Sequence, residues 1–189
     1  QSRSLTTDSY GFRSLVTDTG VVDFDQFRDA PGPKGVLLGD STIFGYGLGD
    51  DETLHAQLSR RNSGSAPWYS LASPVANIFQ SRLLLELFLP ANLAYATMFI
   101  SAAAPVIYLL SPFDTKPYPV LFGQSTDAMF NAGAVATRTD PQFTLASGVK
   151  VNDPQTAFQN ALDDVRKNIH LMAAHLRALT AARMLVCFK

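Results

Sequence analysis

The chain has 189 residues, 47% of them hydrophobic and 16% charged, which suits one domain with a single sizeable core. With Lys+Arg 15 against Asp+Glu 16 the net charge is -1, so there is neither a broad basic field for nucleic acid nor an acidic tail. A lone Cys187, set in Met184-Leu-Val-Cys-Phe188, excludes an internal disulfide and a cysteine metal site, and reads as a small core residue.

The chain begins at Gln1 rather than Met, which points to an upstream leader or anchor. Residues 1–33 are polar and irregular, with Gly11-Phe12-Arg13 and then Ala30-Pro-Gly-Pro33, and read as an N-terminal arm packed on the domain. The domain itself is expected over 34–189. Its first element is a short buried strand, Val36-Leu-Leu38, which stops at Gly39-Asp40-Ser41. A glycine-punctuated turn, Phe44-Gly-Tyr-Gly-Leu-Gly49, leads to Asp50 or Asp51 as the cap of a helix in which Leu54 and Leu58 share a face. His55 lies beside that face and is read as structural or solvated.

Asn62-Ser-Gly-Ser-Ala-Pro67 is a turn, and Trp68-Tyr-Ser-Leu-Ala72 is the next strand. Phe79 to Leu89 reads as a covering helix ended by Pro90. The uncharged run Leu93 to Leu110 is long enough to be tested as a membrane span. Pro105 and the Ser101-Ala-Ala-Ala104 stretch argue against one, and the run is read as helix or loop followed by a strand at Val106–Leu110, leading into Ser111-Pro-Phe-Asp114.

Residues 115–152 are rich in Gly, Pro, Ser, Thr and Asn and read as an insertion, of the kind that borders a binding site or is partly disordered. Asp153-Pro154 starts a long helix whose stripe is Phe158, Leu162, Val165, Ile169, Met172, Leu176 and Leu179. Because an apolar strand follows it, the stripe is expected to face the core. Asp163 and Asp164 fall on the polar side. His170 and His175, five apart, do not share a face, so no metal site is indicated. Apolar strands separated by helices predict an α/β fold: a three-layer sandwich around a central parallel sheet.

In such a sheet the carboxyl ends of the strands share one edge, where ligands bind. Three segments are expected there: Gly39-Asp40-Ser41, Ala72-Ser-Pro-Val-Ala76 and Ser111-Pro-Phe-Asp114. A serine flanked by glycines at the end of a buried strand is placed for nucleophilic attack, with backbone N–H groups near a developing oxyanion. The simpler reading is a βα turn in which Asp40 and Ser41 only cap the next element.

Val36-Leu-Leu-Gly-Asp-Ser-Thr-Ile-Phe-Gly-Tyr-Gly-Leu-Gly-Asp-Asp-Glu-Thr53 resembles the first block of the SGNH (GDSL) hydrolase superfamily, and Tyr10-Gly-Phe-Arg13 is similar to an arm that precedes it in many bacterial members. The resemblance runs from about Gly11 to Lys189. It implies a flavodoxin-like α/β fold and a serine ester hydrolase or acyltransferase with Ser41 as nucleophile. The substrate it implies is a small acyl ester, such as that of a carbohydrate. No cofactor, no metal and no nucleic acid is implied, and the location is extracytoplasmic, periplasmic or secreted.

The resemblance places oxyanion donors at Ser41, Val75 and Phe113, and two of these depart from the pattern. Val75 stands where the family has glycine, which keeps the backbone N–H but narrows the room around it. Phe113 stands where the family has the asparagine of Gly-x-Asn-Asp, and its side chain donates nothing. Loss of one such donor typically lowers the rate on the order of 100-fold. The family's closing Asp-x-x-His does not occur. Two expectations stand side by side: a fragment whose catalytic histidine lies elsewhere, or a degenerate member that binds a glycan or acyl ligand without turnover. A third is an interaction domain in which a partner strand completes the sheet edge.

Overall fold

The computed structural model describes residues 4–62, 66–74, 76–100, 143–144, 150–151 and 154–188. Among them the fold is mixed α/β, with a four-stranded parallel sheet flanked by helices. The strands in chain order are β3 (Lys34–Leu38), β4 (Trp68–Ser70), β5 (Leu93–Ile100) and β8 (Arg183–Phe188), and their order across the sheet is β4-β3-β5-β8. All five residues of β3 are buried, as expected of a central parallel strand covered on both faces.

Alternation divides the sheet into two faces. Val36, Leu38, Tyr69, Leu71, Ala96, Met98 and Ile100 point to one apolar cluster, against α4 (Ile78–Leu87) and a long helix, α5 (Pro154–Leu179). Leu37 points to the other, with Ile43, Phe44 and Ala72, and Leu54 and Leu58 of α3 (Leu54–Arg61) close over it. A short 3-10 turn, Asp50–Glu52, precedes α3. Ser59 of α3 also blunts the free edge of β4: its hydroxyl accepts from the Trp68 N–H at 2.8 Å and donates to the Trp68 carbonyl at 3.2 Å.

Gly35 has a packing reason. On its flanking strands Trp68 and Tyr95 stand opposite it, and their rings stack across it at 5.9 Å with 17° between planes. A Cβ on Gly35 would lie 2.5 Å from the indole.

The N-terminal segment is more regular than its composition predicts. It carries an antiparallel pair, β1 (Leu15–Thr17) with β2 (Gly20–Val22), and a capped helix, α1 (Phe24–Asp29). Asp23 and Gln26 form a reciprocal capping box, which satisfies helix N–H groups that would otherwise lack partners. Phe12, Phe24 and Phe27 are buried in the first cluster; Phe12 and Phe24 stand edge-on to Phe88, Phe24 also to Tyr69, and Phe27 packs tilted on Tyr69. Asp8 ties the segment down, accepting from the N–H groups of Tyr10 and Phe12 at 2.9 Å and from the Tyr69 phenol at 2.7 Å.

Two further expectations are corrected. The third core strand is Leu93–Ile100, where helix or loop is expected; Ala96, Met98 and Ile100 face the first cluster while Phe99 packs on the second, as successive residues of a covered strand do. Val106–Leu110 and most of the 115–152 stretch lie outside the described residues, apart from a small antiparallel pair, β6 (Phe143–Thr144) with β7 (Lys150–Val151). The stripe of α5 faces the core only along its middle. Val165, Met172 and Leu176 are buried, whereas Phe158 and Leu179 are exposed. Cys187 is half-buried on β8.

Candidate functional site

Sheet topology singles out one edge. From β3 the chain goes to β4 on one side, and after α4 it crosses back to β5 on the other. The connections leaving the carboxyl ends of β3 and β5 therefore diverge, and a doubly wound sheet opens its ligand crevice at that point. Gly39-Asp40-Ser41 stands there, directly after β3.

Gly39 is held at φ +155, and a Cβ on it would lie 2.8 Å from Ile43 Cγ1 and 3.3 Å from the Phe99 carbonyl of β5. Only glycine fits between these two segments. The loop after β4 reaches the same point, where the Ser73 N–H meets the Gly39 carbonyl at 3.4 Å. Asp40 is the N-cap of α2 (Ser41–Phe44): its carboxylate accepts from the Thr42 N–H at 2.9 Å, and its carbonyl accepts from Ile43 and Phe44. Capping is thus a real task of Asp40. Ser41 is half-buried, and among the described residues no side chain is hydrogen-bonded to its hydroxyl.

The turn that follows Ser41 is fastened from below. Gly45 and Gly47 adopt φ +79 and +84, and the N–H groups of Gly45 and Tyr46 return to the Ser41 carbonyl at 3.1 and 3.0 Å. Beneath them lies a buried ion pair between Arg13 and Asp50, at 2.8 Å from Nη2 to Oδ1. Arg13 Nε donates to the same oxygen at 2.9 Å, Nη1 to the Gly45 carbonyl at 3.1 Å and Nη2 to the Leu48 carbonyl at 2.8 Å. Asp50 also accepts from the N–H and the hydroxyl of Thr6. Burial pushes the Asp50 carboxyl up, but the bonds from Thr6 and Arg13 outweigh it and hold the group below the usual carboxylate range. Their pairing does not stand out in the sequence, because they are 37 positions apart.

His55 is fully buried, with Nε2 at 3.1 Å from the Ser14 carbonyl. A carbonyl only accepts, so the proton is on Nε2; Nδ1 is buried with no partner. Burial holds the ring neutral, lowering its pKa from 6.5 to about 4. His170 and His175 lie in the second half of α5, His170 exposed and His175 half-buried. Val75 and Phe113, the other expected oxyanion positions, lie outside the described residues. No group of three metal-ligating side chains occurs among the described residues, and no helix among them is long and apolar enough to cross a membrane. No protein-family model and no curated protein matches the chain.

Proposed function

We propose that the chain is a serine ester hydrolase or acyltransferase of the SGNH type, with Ser41 as its nucleophile and a small acyl ester of a carbohydrate or similar alcohol as its substrate. The observation that carries this reading is the position of Ser41: half-exposed, beside crowded Gly39, where the connections of the sheet diverge. The resemblance of residues 36–53 to the family's first block points the same way.

In this reading Ser41 Oγ attacks the ester carbonyl carbon while its proton passes to a base. The oxyanion that forms is held by the Ser41 N–H and by an N–H of the loop containing Val75. The alcohol leaves with a proton and an acyl-serine remains; water releases the acid, or a second alcohol takes the acyl group. That base is not His55, whose Nε2 is engaged by the Ser14 carbonyl. An extracytoplasmic location accompanies the reading.

The engagement of His55 favours a second reading, a binding module that keeps the crevice for a glycan or acyl ligand but turns nothing over. Ester turnover separates the two. Hydrolysis of p-nitrophenyl acetate and of acetylated sugars, measured for the chain and for Ser41→Ala, is expected to exceed buffer only for the former. Turnover that survives Ser41→Ala removes Ser41 from the mechanism. No turnover, with sugar-ester affinity altered by Ser41→Ala, selects the binding module.

A further inference from the structure

Arg13 is placed to do more than hold an N-terminal segment down. Although fully buried, its guanidinium spans two parts of the chain: Asp50 and the Ser4 carbonyl on one hand, and the carbonyls of Gly45 and Leu48 on the other. Gly45 and Gly47 leave that turn free to adopt other backbone conformations, because glycine is not confined to one region of φ. The same turn supplies the two N–H groups that hold the Ser41 carbonyl. Holding that carbonyl restrains ψ of Ser41, and with it how the Cα–Cβ bond of Ser41 stands relative to the turn.

We infer that Arg13 is a positioning residue for Ser41, acting through the Gly45–Leu48 turn, so that the N-terminal arm is a working part of the site. The catalytic meaning of this inference rests on the ester-chemistry reading; its structural content does not. A planar fork is required, since its donors reach acceptors lying in different directions. A lysine ammonium can stay beside Asp50 but cannot hold both turn carbonyls as well.

Amide hydrogen exchange and fluorophosphonate labelling, on the full chain and on Arg13→Lys, test this. The Gly45, Tyr46 and Leu48 amides should exchange about tenfold faster in the variant, with β3 and β5 amides unchanged. The limiting rate of Ser41 labelling should fall about tenfold, the half-saturating probe concentration should hold, and low guanidinium should restore the rate in Arg13→Ala. Unchanged turn amides, or equal acceleration throughout β3, would overturn the inference. If Arg13→Lys does not fold, the unaltered chain decides. In mild urea the turn amides and the Ser14 amide, which donates to Thr6, should open together with one urea dependence; separate openings refute the coupling. If the unaltered chain takes no label, the ester reading fails, while exchange alone still judges Arg13.

Discussion

Acid should weaken this fold through His55 before its paired carboxylates are touched. Burial is the largest influence on the ring and lowers its pKa from 6.5 to about 4; the bond to Ser14 opposes that shift and the Arg13 charge adds to it. Between those two values the unfolded chain takes up a proton that the folded chain refuses, so stability falls as pH falls. With ~1.36 kcal/mol per pKa unit, the loss is about 2 kcal/mol at pH 5 and about 3 kcal/mol at pH 4. Asp50, held below the usual carboxylate range, adds its own loss only at still lower pH. Urea unfolding followed by fluorescence of Trp68, the single tryptophan, reads the effect. His55→Gln keeps an N–H able to reach Ser14 but has nothing to titrate. Between pH 7.5 and pH 5 the unaltered chain should lose about 2 kcal/mol and the variant less than about 0.5 kcal/mol. Equal losses in both would refute the assignment to His55.

Other expectations follow from particular contacts. Gly35→Ala places a Cβ 2.5 Å from the indole of Trp68, and should cost about 1–3 kcal/mol in urea with a shift in tryptophan emission; unchanged emission would refute the packing. Lys34→Met should cost about 2–4 kcal/mol, since the buried ammonium donates to the carbonyls of Ala30, Gly32 and Ala91; a neutral result would mean water replaces it. Gly39→Ala meets both Ile43 and the β5 backbone, and should lower Ser41 labelling about tenfold or more even where the chain folds, which a labelling time course at matched folded fraction would check.

Legibility tracked how local each signal is. The run Val36-Leu-Leu38 and the spacing Val165, Ile169, Met172, Leu176 are complete within a few residues, and both elements lie where the pattern puts them. Leu93–Ile100 is hard to read as a strand because both faces of an inner strand are apolar, so that in an uncharged run strand and helix look alike. The order of the arm is hard to read for a different reason. Its capping box at Asp23 and Gln26 is readable in sequence, but Arg13 gains its meaning from Asp50 and from carbonyls on a distant turn. The place of Ser41 at a strand end is local; the crevice beside it depends on strand order, which a single sequence does not spell out.

Ser41 as an activated nucleophile is the central claim, and intact mass after incubation with a fluorophosphonate tests it most directly. The account predicts one probe adduct on the folded chain, absent from Ser41→Ala. A folded chain that takes up no adduct, or that carries it equally in the Ser41→Ala variant, would contradict it.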